Sequence, residues 1–133
     1  MFSGLQINFY VTDVERAVAF YTAIGAFESF RTPRDGTPLH VEVKLAGVTV
    51  GLASVAAARD IHGLDVSADA AGAELVLWTD DADAAYAVLV AAGGTTMKAP
   101  HDMPNGLRGA WVADPDGNPV EVVQEPAAAT AMD

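Results

Sequence analysis

Asp114-Pro115-Asp116-Gly117-Asn118-Pro119-Val120-Glu121-Val122-Val123 is the stretch of sequence that decides the fold. Its first four residues predict a tight turn, because proline presets the φ angle and glycine accepts a positive φ at no steric cost. The apolar, β-branched run that follows predicts a strand. Glu121 interrupts this run, and two interpretations stay open. Its side chain faces water, as most carboxylates do, or its face of the strand lines a site.

Upstream of this stretch, the first half of the chain predicts a strand, a helix and three further strands. Leu5–Val11 alternates apolar and polar residues, as a half-buried strand does. Thr12-Asp13-Val14-Glu15 is a capping-box pattern, which predicts a helix over Val14–Ile24. The three strands after the helix are predicted at Phe27–Arg31, His40–Leu45 and Val48–Ala53.

The second half predicts the same order of elements after a connector over residues 55–72. This connector is rich in alanine, aspartate and glycine, and its composition predicts at most a short helix near Ala56–Ile61. The last strand of this half is the one that carries Glu121. The elements before it are predicted as a strand at Ala73–Thr79, a helix at Ala82–Ala92, and strands at Thr95–Lys98 and Leu107–Ala113.

The two halves are an internal repeat. A shift of 68 residues places Gln6 on Glu74 and Tyr10 on Trp78, and a shift of 70 places Gly51 on Glu121. When helices cover one face of such a sheet, the other face stays free. The sequence therefore predicts an α+β fold, a single domain over residues 1–133. Two tandem βαβββ modules, about 5–54 and 73–125, form a curved sheet around a cleft.

Composition and charge narrow the classes of function. The formal net charge is -11, and phosphate binding needs a basic patch, so we expect neither nucleic acid nor an anionic membrane as a partner. No apolar run is long enough to span a membrane. The chain has no cysteine, which excludes disulfides, zinc–cysteine sites and a cysteine nucleophile. The first residues lack the pattern of a signal peptide, so the cytoplasm is the expected location.

With the repeat and the Asp-Pro-Asp-Gly turn established, the sequence resembles the vicinal oxygen chelate superfamily, which includes glyoxalase I, bleomycin-resistance proteins and extradiol dioxygenases. The resemblance runs from Leu5 to about Gln124. It is specific for the superfamily but not for one activity within it, because one fold hosts several functions. The residues that carry the resemblance are Val11–Tyr21, the glycine Gly25 after the helix, and Asp114–Glu121.

The resemblance implies a divalent metal site at four strand positions, which are Gln6, Gly51, Glu74 and Glu121 here. Gln6, Glu74 and Glu121 can ligate a metal, whereas Gly51 stands where a carboxylate is usual and cannot. An amide and two carboxylates suit Mg²⁺ or Mn²⁺, with Ni²⁺ or Zn²⁺ as alternatives, and a site without metal is equally open. In a metalloenzyme, Glu121 and Glu74 would be the catalytic carboxylates. Two histidines with one carboxylate are absent from these positions, so dioxygenase chemistry is not expected.

Five further residues are candidates for ligand binding. Tyr10 and Trp78 are repeat mates that form either aromatic walls for a ligand or part of the core. Asn8 shares the face of Tyr10, and His40 is polar on an otherwise apolar strand. Met103 lies in a predicted loop, where a flexible thioether side chain can cover a ligand.

The sequence also predicts the surroundings of two further residues. We expect Trp111 to pack under a helix. We expect His101 to be a surface residue.

The resemblance leaves the function open between two classes. The first is a small-molecule-binding protein with metal-dependent lyase or isomerase activity of the glyoxalase type. The second is a non-catalytic protein that sequesters a drug or metabolite, as in antibiotic resistance or self-immunity, and a ligand sensor is a weaker third reading. Gly51 favours sequestration, whereas Gln6 and Glu121 favour the enzyme. A homodimer is expected in each case.

Overall fold

The computed structural model describes residues 1, 6–69, 73–104 and 106–125, which form eight strands and three helices. The predicted start of the first strand, Leu5, lies outside the described residues. The elements in chain order are β1 (Ile7–Val11), α1 (Val14–Ala23), β2 (Phe27–Thr32), β3 (His40–Leu45), β4 (Val48–Ser54), α2 (Val55–His62), β5 (Leu75–Thr79), α3 (Ala82–Ala91), β6 (Thr95–Asp102), β7 (Arg108–Ala113) and β8 (Pro119–Gln124).

The strands form two open four-stranded sheets with the same topology. The first sheet has the order β1-β4-β3-β2 and the second the order β5-β8-β7-β6. In each sheet the first and last strands of the repeat pair in parallel, and the other pairs are antiparallel. The predicted α+β architecture of two tandem βαβββ modules is confirmed.

Each sheet buries one face under a helix of its own half and leaves the other face open. In the first sheet, Phe9, Val43 and Leu52 lie on the buried face, and in the second sheet Val112 and Val122 do so. These side chains belong to one apolar cluster that draws residues from both halves. Because side chains alternate along a strand, the residues between them point to the open face. The candidate site residues must therefore be sought there.

The helices α1 and α3 begin at aspartate caps, and the cap predicted for α1 is wrong. The Asp13 carboxylate accepts the N–H of Arg16 at 3.0 Å and caps α1, so the predicted capping box of Thr12 does not form. Thr12 instead donates its N–H and its hydroxyl to Asp116 of the other half, at 2.8 and 2.7 Å. This contact, unlike a local cap, depends on tertiary structure. Asp81 caps α3 by accepting the N–H of Ala84 at 3.0 Å.

One strand is longer than the sequence predicts, and the short helix predicted in the connector forms. Strand β6 continues through His101 to Asp102, beyond its predicted end at Lys98, because His101 pairs with Gly109 of β7. The connector begins with the helix α2, which Ser54 caps and which Gly63 ends in a left-handed conformation (φ 65°). Of the helices that the described residues form, none has the length and apolar character needed to cross a membrane.

Candidate functional site

A cavity of about 350 Å³ lies between the open face of the first sheet and the helix α2. Its size is at the lower end of the range for small-molecule sites. One side is polar and comes from strands β1 and β3, whereas the other side is apolar and comes mainly from α2 and the residues after it. The lining residues are Asn8, Tyr10, Thr32, Leu39, His40, Ala53, Ser54, Ala57, Ala58, Ile61, His62 and Leu64.

Strand register sets the polar side of the cavity. Asn8, Gly51 and Glu42 are cross-strand neighbours in one row of the sheet. Tyr10, Ala53 and His40 form the next row. Directly paired residues share a face, so all six belong to the open face. Three ligand-binding residues predicted from sequence, which are Asn8, Tyr10 and His40, therefore line one cavity.

Gly51 is the point at which two of these side chains meet. A Cβ atom at Gly51 would lie 2.0 Å from Oδ1 of Asn8 and 2.9 Å from Cε1 of His40. Both separations are far below van der Waals contact, so the two side chains occupy the space that a residue with a side chain would fill. Gln6 donates from Nε2 to Oδ1 of Asn8 at 2.8 Å, and His40 Nε2 lies 3.0 Å from Oε2 of Glu42.

The second sheet brings the two predicted catalytic carboxylates together on its open face. Trp111 donates from Nε1 to Oε2 of Glu74 at 3.1 Å, and Trp111 is the cross-strand neighbour of Glu121. Partial burial, and then the negative charge of Glu74, raise the pKa of Glu121. We therefore expect the two carboxylates to repel each other when both are ionised.

A stacked aromatic pair lies beside these carboxylates. His101 stacks on Trp111 with ring centroids 5.8 Å apart, so the expectation that Trp111 packs under a helix is wrong. The indole belongs to the opposite face because Trp111 pairs with Glu121 rather than with a core residue. Met103 lies close to Gly109 of β7. Trp78 is 57% exposed, and it does not line the cavity of the first half.

The residues present do not fit the four-position metal site that the resemblance implies. The position of Gly51 is filled by Asn8 and His40, as the distances above show. The Gln6 amide donates from Nε2 to Asn8, and Oε2 of Glu74 accepts from Trp111. These bonds leave Oε1 of both side chains able to ligate, so the position that lacks a ligand is Gly51. Within residues 6–69, 73–104 and 106–125 there is no group of three histidine, aspartate or glutamate side chains that could hold a metal ion.

The interaction between Glu74 and Glu121 can be measured directly. We expect Glu74→Gln to lower the pKa of Glu121 towards its usual value, because the like charge is removed, and ¹³C NMR titration of the side-chain carboxyl would show it. Glu125→Gln is the control, since Glu125 is exposed and is not among the causes of the shift. An unchanged pKa in Glu74→Gln would show that the two carboxylates do not interact.

The raised pKa of Glu121 also predicts the sign of a pH dependence. The folded state binds this proton more tightly than the unfolded state, so ionisation destabilises the fold as the pH rises through the folded pKa. Glu121→Gln should therefore be more stable than the wild type at pH 7. The difference should vanish below the unfolded pKa, where Glu121 is protonated in both states.

Comparisons with known proteins agree with the fold. A family model described as the Glyoxalase/Bleomycin resistance protein/Dioxygenase superfamily matches residues 5–122. A glyoxalase-related enzyme from Fulvimarina pelagi is 23% identical, with a TM-score of 0.80, over 95% of this chain and 90% of that chain. No protein with a curated description matches the chain.

Two other solved structures, of proteins with different names from each other, have a fold similar to that of this chain. TioX from Micromonospora sp. ML1 is 25% identical, with a TM-score of 0.72, over 93% of this chain and 99% of that chain. A lactoylglutathione lyase from Agrobacterium tumefaciens is 22% identical, with a TM-score of 0.69, over 92% of each chain. At these identities the likeness to the Fulvimarina and Agrobacterium proteins shows the fold alone.

Proposed function

The chain belongs to the Glyoxalase/Bleomycin resistance protein/Dioxygenase superfamily, and on this basis we propose that it binds and sequesters a small molecule in the cavity between the first sheet and α2. The observation that carries the proposal is the arrangement at Gly51. Asn8 and His40 fill that position with hydrogen-bonding groups, so the polar side of the cavity is built from side chains rather than around an ion.

The character of the cavity supports a neutral or weakly polar ligand. Its lining contains no carboxylate, lysine or arginine among the described residues. An apolar wall that includes Ile61 and Leu64 faces the polar groups of Asn8, Tyr10 and His40. Ligand sites commonly combine mostly apolar lining with a few polar groups that fix orientation.

A divalent ion at Gln6, Glu74 and Glu121, with lyase or isomerase activity, stays a prediction from the resemblance. The raised pKa of Glu121 favours some positive group near the carboxylate pair. The lack of a ligating side chain at Gly51 weighs against the four-position site, so sequestration is the function that we propose, with the cytoplasm as its expected location.

The proposal includes a homodimer. The open face of the second sheet leaves Trp78 and Val76 exposed, and neighbouring apolar side chains at a surface are typical of contact sites. Ligand contacts by Trp78 and Met103 stay predictions that depend on how this face is covered. Sedimentation of the purified protein would measure the oligomeric state.

A large side chain introduced on α2, which would fill the cavity, tests the proposed function. Ala57 lines the cavity, whereas its neighbour Ala56 is exposed and does not. We expect Ala57→Phe to weaken binding of the neutral fluorescent probe N-phenyl-1-naphthylamine by at least about tenfold, because the ring takes the space of the probe. Fluorescence titration gives both affinities, and Ala56→Phe is the matched control. Equal affinities for the two variants would place the probe elsewhere.

A further inference from the structure

The two side chains that meet over Gly51 each have one hydrogen-bonding function left for a ligand. Oδ1 of Asn8 accepts from Gln6, which leaves the two Nδ2 hydrogens of Asn8 as donors. The ring of His40 is held by Glu42, and a carboxylate can only accept, so Nε2 carries the proton of this bond. In the neutral imidazole, Nδ1 is then an acceptor.

The side chain that carries the donor and the side chain that carries the acceptor therefore meet on the floor of the cavity. Asn8 Oδ1, on the same amide as Nδ2, and His40 Cε1, bonded to Nδ1, lie 2.0 and 2.9 Å from one point above Gly51. Both residues line the cavity, and neither Nδ2 of Asn8 nor Nδ1 of His40 has a hydrogen-bond partner among the described residues. The group that satisfies both presents a carbonyl to Asn8 and an N–H to His40.

We propose that Asn8 and His40 form a donor–acceptor pair that recognises a neutral ligand head group with adjacent N–H and C=O, as in a cyclic amide or imide. Gly51 is the specificity-determining residue, because only glycine leaves room for the pair to form. The apolar wall, with Leu39, Ile61 and Leu64, then holds the ring or alkyl part of the same ligand. This inference rests on the proposed function, since it names the ligand class of the same cavity.

Three quinoline derivatives of nearly equal size test the pair. 2-Quinolone carries both the N–H and the C=O, N-methyl-2-quinolone keeps only the carbonyl, and 2-methoxyquinoline has neither. Calorimetric titration of the wild-type protein should give an affinity for 2-quinolone about tenfold higher than for 2-methoxyquinoline, with N-methyl-2-quinolone between them, because each net hydrogen bond contributes a few-fold.

Two variants assign the preference to the pair. In Gly51→Ala the added methyl group displaces Asn8, so the ratio of affinities for 2-quinolone and 2-methoxyquinoline should fall towards one. Asn8→Asp keeps the size and the acceptor for Gln6 but removes the donor, and its carboxylate repels the carbonyl of 2-quinolone. The ratio should fall there as well, whereas Ala56→Phe should keep the wild-type ratio.

The outcomes separate this inference from the proposed function. If the wild type binds all three compounds with equal affinity, the cavity binds small molecules but the donor–acceptor pair is overturned. A tenfold preference that survives in both Gly51→Ala and Asn8→Asp would overturn it too. If N-phenyl-1-naphthylamine binds but none of the three compounds does, this inference is overturned and the proposed function stands. If the naphthylamine probe does not bind either, the proposed function fails, and this inference fails with it.

Discussion

Replacing Asp114 with alanine is expected to lower the free energy of unfolding by about 4 kcal/mol. The Asp114 side chain is only 3% exposed and accepts four hydrogen bonds. The donors are the hydroxyl of Tyr21 at 2.8 Å, the N–H of Asp116 at 2.9 Å, and the N–H and Nδ2 of Asn118 at 2.8 and 3.0 Å. The variant leaves all four without their acceptor.

This loss should exceed that of a simple truncation because Asp114 joins the two halves. Its turn lies between β7 and β8, while Tyr21 is buried in α1, and burial followed by the charge of Asp114 raises the pKa of the Tyr21 hydroxyl. Urea unfolding measures the effect. Tyr21→Phe should cost about 1–2 kcal/mol, and the exposed control Asp65→Ala less than about 0.5 kcal/mol. A loss below about 1 kcal/mol in Asp114→Ala would show that the turn does not hold the halves together.

Replacing Leu52 with alanine is expected to cost about 3 kcal/mol of unfolding free energy. Leu52 is fully buried on the helix-facing side of β4, between its cross-strand neighbours Phe9 and Val41. Its loss leaves a void in close-packed surroundings. Leu64 also contributes apolar surface, but it lies at the cavity and is 45% exposed.

Replacing each leucine in turn should therefore distinguish a loss of stability from a loss of ligand binding. Leu64→Ala should change the free energy of unfolding by less than about 0.5 kcal/mol but weaken binding of N-phenyl-1-naphthylamine about fivefold. Urea unfolding and fluorescence titration of both variants provide the comparison. If Leu64→Ala were as destabilising as Leu52→Ala, the residue would belong to the core rather than to a ligand wall.

The elements of the fold were predictable from the sequence because their signals are local. Alternation in His40–Leu45 and the closing glycine after each helix depend only on neighbouring residues, and the repeat doubles each signal. The cap predicted for α1 was wrong because Thr12 donates a hydrogen bond to Asp116, which lies 104 residues away in the chain. Local patterns do not contain such a contact.

The candidate site was only partly predictable for the same reason. Strand parity placed Asn8 and Tyr10 on the open face, and the family resemblance placed Glu74 and Glu121 in one site. The approach of Asn8 to His40 depends on the register of β1, β4 and β3 together, which alternation within one strand does not determine.

The role of α2 was likewise missed. A capping serine at Ser54 and a glycine at Gly63 were the available signals, but they predict a helix and not the surface it covers.

The central claim is that the cavity of the first half binds its ligand without a metal ion. The most direct measurement is the dissociation constant of N-phenyl-1-naphthylamine for chelator-treated protein, before and after addition of Mg²⁺, Mn²⁺, Ni²⁺ or Zn²⁺. We expect the same constant, within about twofold, in all five conditions, because the described residues that line the cavity include no carboxylate. Binding that appears only when one of these ions is present would contradict the claim.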